Sequence, residues 1–513
     1  MSGSDSSLIG RMIAEPLWRA EDLGAPIPPS THAVSVALPT WRDNVGYEEG
    51  DPNVVDRLRA GYPRFVYHPL CRTLFAECLT RWGRPDEACL AFSTAASAGR
   101  FVEWMAQRAG SEVRVIDVAA CGVHAVFFPK VHAGEAKSFW QHSGEGVSSR
   151  RAEAVLQAWG VVRPSTSEGI DAGDGPRAKS QLRERIARVV GVSPEFVWLF
   201  PCGMNAGFQL HRVLLDLAPD RLSVQFGFPY VDTLKIQEKR GPGALFFRRA
   251  DADDLARLSA TVASEPVSAV YTEFPSNPLL ASPDLAALSE LSRQYDFPLV
   301  IDDTVASALN VDLLQVADVV WMSLTKYFSG TGDVTGGAVI VNPRSRYAAR
   351  IVSRLRGTFD DLLFDADAVA LERNSRDLES RMRKVNANAE ALADFLKEHP
   401  RVETVYFPKY RTPELYRRYV RPGAGYGGLL SLDLKDAERC APQFFDALRV
   451  CKGPNLGMGY TLACPYTILA HYGELDFAES CGVSRWLVRV SVGIEEPEEL
   501  IGRFDRALTA AGI

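Results

Sequence analysis

The sequence predicts an α/β fold: a mostly parallel central sheet with helices on both faces, a smaller C-terminal α+β domain and an extended N-terminal α/β region. Three observations predict it. Between about 180 and 345, short β-branched or apolar runs (Val197–Phe200, Ala269–Glu273, Leu299–Asp302, Val319–Ser323, Ala338–Val341) alternate with helix-length stretches. That is the pattern of parallel strands joined by covering helices. The chain's 513 residues exceed what one hydrophobic core serves, so two or three domains are expected. A polar, Gly- and Ser-containing stretch from Arg163 to Gly175 interrupts the periodicity like a linker. The expected domains are 1–165, 176–345 and 346–513.

In chain order, the first block opens with a Pro-rich stretch, residues 25–31, and continues with a helix over Glu103–Arg108 and strands over Val113–Asp117 and Val123–Phe128. The second block holds the five runs above, with Leu222–Phe226 as a further strand. Ligands of such sheets bind beyond the carboxyl ends of the strands. The third block begins with one long polar helix, Ala366–Glu398, followed by strands over Val402–Phe407, Leu429–Leu434 and Leu487–Val492. A faint echo repeats Glu87, Phe92, Ala98 and Gly99 at Glu195, Phe200, Ala206 and Gly207 with a constant offset, which admits either chance or a degenerate duplication.

Composition narrows the function classes. Hydrophobic residues make up 46% and charged residues 24%, as in a globular chain, and the net charge of -7 supplies no basic field for a phosphate backbone, so nucleic acid is not an expected partner. No apolar run approaches the roughly 20 residues of a membrane span. The N-terminus lacks the basic and apolar regions of a secretory signal, so a cytoplasmic location is expected. Nine cysteines without a paired short spacing suggest buried thiols rather than a disulfide framework, and no metal-ligand motif stands out.

The chemistry-bearing residues cluster at the predicted strand ends. Ser323-Leu-Thr325-Lys326-Tyr-Phe-Ser-Gly330 follows the apolar run Ala317–Trp321. A lysine there, flanked by hydroxyls and glycines, suits an aldehyde cofactor: the desolvated amine forms an imine while hydroxyls and backbone amides receive a phosphate. Alone, Lys326 reads more readily as an ordinary surface lysine, and its context reverses that reading. Asp302 closes Val300-Ile-Asp302-Asp-Thr304 and suits the buried anion that keeps a pyridine nitrogen protonated, although a turn or N-cap aspartate is the plain alternative. Gly203 and Met204 open a helix after Phe200, where amides and helix dipole make an anion site. Tyr230 offers an aromatic face, Asn277 a side-chain amide, and Arg489 a guanidinium inside an apolar strand that needs either a structural carboxylate or a substrate one.

Taken in order, Gly203-Met204, Tyr230-x-x-Thr233, Pro275-Ser-Asn277-Pro278, Ile301-Asp302-x-Thr304, Ser323-x-Thr325-Lys326-Tyr327 and Arg489-x-Ser-Val-Gly-Ile-Glu495 resemble the Cys/Met-metabolism group of fold-type I pyridoxal-phosphate enzymes over roughly 180–513. The resemblance implies a fold-type I transferase with pyridoxal 5'-phosphate as cofactor. By it, Lys326 carries the cofactor as a Schiff base, Asp302 pairs with the pyridine nitrogen, and Gly203, Met204, Ser323 and Thr325 hold the phosphate. Tyr230 stacks on the ring and shuttles a proton, Asn277 contacts the ring hydroxyl, and Arg489 binds the substrate α-carboxylate. The first block, with Gly61-Tyr-Pro-Arg-Phe65 and Trp140-Gln-His-Ser-Gly-Glu-Gly146, is similar to the extended N-terminal region of fungal cystathionine γ-synthases. The activity implied is γ-replacement on an O-acylhomoserine by cysteine, giving cystathionine in methionine biosynthesis. Alternatives are a sulfhydrylase, a γ-lyase, a γ-substituting enzyme of specialised metabolism, or a non-catalytic relative. Active sites of this family use two subunits, which implies a homodimer or homotetramer.

Two departures stand out. Where the family carries Tyr-x-Arg, whose arginine clamps the neighbouring subunit's phosphate, this chain has Thr166-Ser-Glu168, and an acid repels a phosphate. Tyr62 and Arg64 have the right spacing but precede the echoed copy. Pro454-Asn455-Leu-Gly457 stands where relatives usually show Ser-Leu-Gly, and Asn455 can still donate to the α-carboxylate.

Overall fold

The computed structural model describes residues 5–61, 66–110, 112–118, 121–163 and 173–512. Fifteen strands among them form three sheets. The first contains β1 (Glu87–Phe92), β2 (Arg114–Val118) and β3 (Val123–Pro129) in the order β1-β3-β2, all antiparallel.

The central sheet is built from β4 (Val197–Phe200), β5 (Ser223–Phe226), β6 (Ala244–Phe247), β7 (Val270–Glu273), β8 (Leu299–Asp302), β9 (Val319–Ser323) and β10 (Gly337–Val341), in the order β4-β10-β9-β8-β7-β5-β6. Only β10 runs against its neighbours. Burial on both faces explains the near-continuous Val/Ile/Leu content. The helices Asp174–Val190 and Leu285–Tyr295 contribute to the core on one face, and Gly203–Leu217 and Ala348–Thr358 to that on the other. Strand β6 was not expected from the sequence. Its Ala-Leu-Phe-Phe lacks β-branched residues and it sits at the sheet edge, where one neighbour suffices.

The third sheet contains β11 (Val402–Tyr406), β12 (Leu429–Leu434), β13 (Cys451–Lys452), β14 (Leu462–Pro465) and β15 (Val488–Ser491), ordered β11-β12-β15-β14-β13. The single long helix expected over 366–398 is instead two, Asp365–Asn374 and Leu378–Glu398. Polar side chains at the break divert the chain. Asn374 Nδ2 donates to Ser329 Oγ at 3.1 Å and to Asp333 Oδ1 at 2.8 Å, while Ser375 Oγ bonds back to the Leu371 carbonyl. The turn aims the buried Arg381 at the carbonyls of Tyr327, Phe328 and Ser329, at 3.0 to 3.2 Å.

Within 1–165, residues 5–60 and 69–158 pack in different places. Met12, Ile27 and Ala37 join Cys451, Met458, Tyr460 and Leu462 in one core, and Trp41 stacks on Trp486 at 5.7 Å. The stretch has no strand pair of its own long enough to bury these side chains, so it covers the edge of the third sheet. Residues 69–158 wrap the first sheet around Phe92, Phe101, Phe127 and Phe139. Of the echoed residues, Phe92 and Phe200 each close a strand and Ala98–Gly99 and Ala206–Gly207 each lie in the helix that follows, whereas Glu87 is in a strand and Glu195 in a 3-10 helix. The first helix starts with a Thr94–Ser97 capping pair, the second with Gly203 and Met204.

Candidate active site

Parallel strands end on one edge, so the ends of β4, β5, β7, β8 and β9 converge, and the antiparallel β10 begins there with Gly337 opposite both Phe200 and Ser323. A cavity of about 150 Å³ opens on that edge. All ten residues singled out in the sequence line it: Gly203, Met204, Tyr230, Asn277, Asp302, Ser323, Thr325, Lys326, Asn455 and Arg489. Tyr62, Arg64 and Thr166–Glu168 lie outside the described residues.

Lys326 leaves the turn after β9, and its Nζ donates to Asn455 Oδ1 at 2.5 Å. The close approach depends on Gly457 (φ +80°): a Cβ there would lie 2.5 Å from Tyr327 N and 2.8 Å from the Lys326 carbonyl carbon. Asn455 is 3% exposed, and its Nδ2 has no hydrogen-bond partner among the described residues, a donor held ready beside the cavity.

On one wall, helix Gly203–Leu217 presents its first amides, which precede any acceptor within the helix. A Cβ on Gly203 would lie 2.7 Å from Ser323 Cβ, so only glycine lets the helix start this close to the Ser323 hydroxyl. Thr304 Oγ1 accepts from Ser323 N at 2.9 Å, and Thr325 Oγ1 shares hydrogen bonds with Gly336 N and O. This arrangement of amides and hydroxyls fits a phosphate.

On the floor, withdrawal from water pushes the Asp302 carboxyl up, partly offset by hydrogen bonds from Thr304. Glu273, at the end of the adjacent strand, is pushed up by burial and then by the charge of Asp302. Two recessed carboxyls side by side favour a cation between them and the cavity, and the protonated nitrogen of a pyridine ring is one. Glu273 was not singled out in the sequence although it closes the predicted strand Ala269–Glu273. Its Oε1 accepts from Tyr230 N at 2.5 Å and its Oε2 from Asn277 N at 3.1 Å, so one carboxyl ties two cavity-lining residues together.

Arg489, in β15, is 5% exposed. Nη1 donates to Asn277 Oδ1 at 3.2 Å and Nη2 to the Pro454 carbonyl at 3.1 Å, with the guanidinium 4.9 Å from the Tyr466 ring centre. All of these partners are neutral, so the structural carboxylate that the sequence left open is not among them. Deeper in, His211 Nδ1 meets Tyr271 Oη at 3.0 Å, and burial holds the imidazole down to about 4, neutral near pH 7. Among the described residues no group of three or more His, Cys, Asp or Glu side chains is placed to hold a metal, and no helix is long and apolar enough to cross a membrane.

A lysine at the mouth of a parallel sheet, a helix N-terminus and hydroxyls beside it, and carboxyls on the floor define a pyridoxal-phosphate enzyme of fold type I. Residues 175–509 match the family described as Cys/Met metabolism PLP-dependent enzyme, and residues 70–148 match the fungal trans-sulfuration enzyme N-terminal domain. The chain belongs to the Cys/Met metabolism PLP-dependent enzyme family. It is 38% identical to cystathionine γ-synthase of Neurospora crassa, over 96% of this chain and 98% of that protein. It is 35% identical to the L-2-amino-4-chloropent-4-enoate dechlorinase/desaturase of Streptantibioticus cattleyicolor, over 95% of this chain and 98% of that protein. Among solved structures it is similar to cystathionine γ-synthase from Xanthomonas oryzae pv. oryzae in complex with cystathionine, with 25% identity, a TM-score of 0.57, and coverage of 68% of this chain and 90% of that one.

Proposed function

We propose that the protein catalyses γ-replacement on an O-acylhomoserine with cysteine, forming cystathionine. The observation that carries this reading is the placement of Lys326, Asp302 and Arg489 on one cavity in a chain nearly coextensive with a fungal cystathionine γ-synthase. Bound pyridoxal phosphate supplies an electron sink for charge developing at the substrate's Cα and then Cβ, which permits loss of a group from Cγ. The chain's own residues do the rest. Arg489 binds the α-carboxylate through the fork of its guanidinium, assisted by the Asn455 amide. The Lys326 amine moves protons at Cα, and the Tyr230 ring covers the cofactor and shuttles a proton. Asp302 keeps the ring nitrogen protonated, Asn277 turns its NH2 toward the ring hydroxyl, and Gly203, Met204, Ser323 and Thr325 hold the phosphate. Domain boundaries near 165–176 and 345, with residues 5–60 lying on the C-terminal unit, a cytoplasmic location and a homodimer or homotetramer belong to the same reading.

Incubation of the purified holoenzyme with O-acetylhomoserine and cysteine, followed by mass analysis, tests it. Cystathionine is the expected product, and its absence with intact cofactor refutes the cysteine assignment. One observation favours a second reading within the same chemistry. Among the described lining residues Arg489 is the sole guanidinium, and Val34, Ile236, Leu469 and Ala470 form an apolar part of the wall. One carboxylate has a built partner there and a second does not, which suits sulfide, another small uncharged nucleophile, or γ-elimination. Sulfide-dependent homocysteine, or an unsaturated product without any nucleophile, is its signature.

A further inference from the structure

The cavity has a wall from outside the catalytic family region: Gln141 and Gly144, from the N-terminal unit, line it together with the ten residues above. The contact is built from several kinds of interaction. Helix Ala133–Ser143 lies against helices Gly203–Leu217 and Val231–Lys239, the two that begin at the cavity with Gly203 and immediately after Tyr230. Asn205 Nδ2 donates to the Ser143 carbonyl at 2.9 Å, and Gln209 Nε2 donates to the buried Glu145 at 2.7 Å. Glu145 is in turn paired with Arg100 at 2.7 Å. Gly144 ends the helix with φ +64°, and a Cβ there would lie 2.5 Å from Cys202 Sγ and 2.9 Å from Asn205 N. The turn therefore packs directly against the first turn of the helix that opens at Gly203.

Gln141 acts on the second helix. Its Nε2 donates to Asp232 Oδ1 at 3.2 Å, and His142 Nε2 stands 3.6 Å from the same oxygen. Asp232 is 1% exposed and lies two residues after Tyr230. Tyr230 is thus fixed from both sides: its backbone N–H by Glu273, and the helix it opens by Gln141 through Asp232.

We propose that the N-terminal unit is an in-chain wall of the active site and that Gln141 is a positioning residue for Tyr230, acting through Asp232. The proposal rests on the reading that Tyr230 stacks on the cofactor ring. The test uses the full-length holoenzyme, the variants Gln141→Leu, Asp232→Asn and Tyr230→Leu, and two readouts that need no substrate. These are amide hydrogen exchange over residues 228–239 and visible circular dichroism of the bound cofactor. Gln141→Leu is expected to speed exchange in that segment about fivefold, the effect of one net hydrogen bond, without a matching rise elsewhere, and to change the dichroism. Asp232→Asn retains an oxygen that can accept from Gln141 and is expected to stay near wild type in both. Unchanged exchange and dichroism in Gln141→Leu, or an equal rise over the whole chain, overturns the proposal. If Gln141→Leu is not recovered folded, Gln141→Ala, which adds no bulk, takes its place. An unchanged dichroism in Tyr230→Leu defeats the stacking reading itself. A change there with none in Gln141→Leu defeats only the proposal.

Discussion

Replacing Arg489 by methionine keeps much of the side chain's length and removes its charge and donors. Arg489 is nearly buried and its hydrogen-bond partners, Asn277 Oδ1 and the Pro454 carbonyl, are neutral, so among the described residues no carboxylate balances the guanidinium. An α-carboxylate arriving there gains charge-assisted hydrogen bonds in a dry site. Losing one partner of such a buried pair costs about 3 to 5 kcal/mol. At about 1.4 kcal/mol per factor of ten, amino-acid binding should weaken between about a hundredfold and a few thousandfold. Titrating wild type and Arg489→Met with the amino-acid substrate, and following the cofactor's visible spectrum, reads the dissociation constant before any turnover is needed. The same titration with the substrate's carboxamide separates charge recognition from packing: wild type should prefer the acid strongly, and Arg489→Met should discriminate little. Cofactor content should be unaffected by the substitution. A dissociation constant within threefold of wild type, or undiminished preference for the acid, refutes the assignment of Arg489 to the α-carboxylate.

Gly203→Ala places a Cβ 2.7 Å from Ser323 Cβ and 3.1 Å from its Cα. Strain of about 1–3 kcal/mol is expected to weaken cofactor retention by roughly fivefold to a hundredfold or somewhat more, measured by equilibrium dialysis. Glu273→Gln keeps one acceptor but turns an NH2 toward the second N–H, so the Tyr230 or Asn277 amide loses its bond. A loss of about 2 kcal/mol in stability, read by chemical denaturation, should accompany altered visible dichroism. Burial holds the Lys452 amine down to about 7, against the pull of Asp446 and Asp43, and its Nζ donates to the Pro39 and Asp446 carbonyls. A base with its folded pKa below the unfolded one leaves the unfolded chain holding more protons. Stability should therefore rise as pH climbs from about 7 toward 10, by up to about 1.4 kcal/mol per pH unit, and Lys452→Met should flatten that slope in denaturation at pH 7, 8 and 9.

The catalytic half of the molecule was legible because its signals are local. Val197–Phe200, Leu299–Asp302, Val319–Ser323 and Leu429–Leu434 are strands to the residue. Buried strands must be apolar throughout, and polar or glycine residues follow at once where the site begins. Lys326, Asp302 and Asn277 stand just after or at such ends, so the sequence places them together. What it did not place depends on distant partners. Strand β6 is held by β5 rather than by its own propensity. The break at residues 375–377 follows from Asn374 reaching Ser329 and Asp333. Residues 5–60 find their burial on a sheet that begins some 400 residues later. Gln141 and Asp232 meet across 91 residues, and Glu273 binds Tyr230 across 43, with nothing in either neighbourhood to announce the pairing.

Every role proposed for the site turns on Lys326 as the residue that carries pyridoxal phosphate. Borohydride reduction of the purified holoenzyme, followed by proteolysis and mass analysis of the peptides, tests it directly. A pyridoxyl-phosphate group on Lys326, with the visible band and the covalent label both lost in Lys326→Ala, is the predicted result. A label on another lysine, or a visible band that survives Lys326→Ala unchanged, would contradict the account.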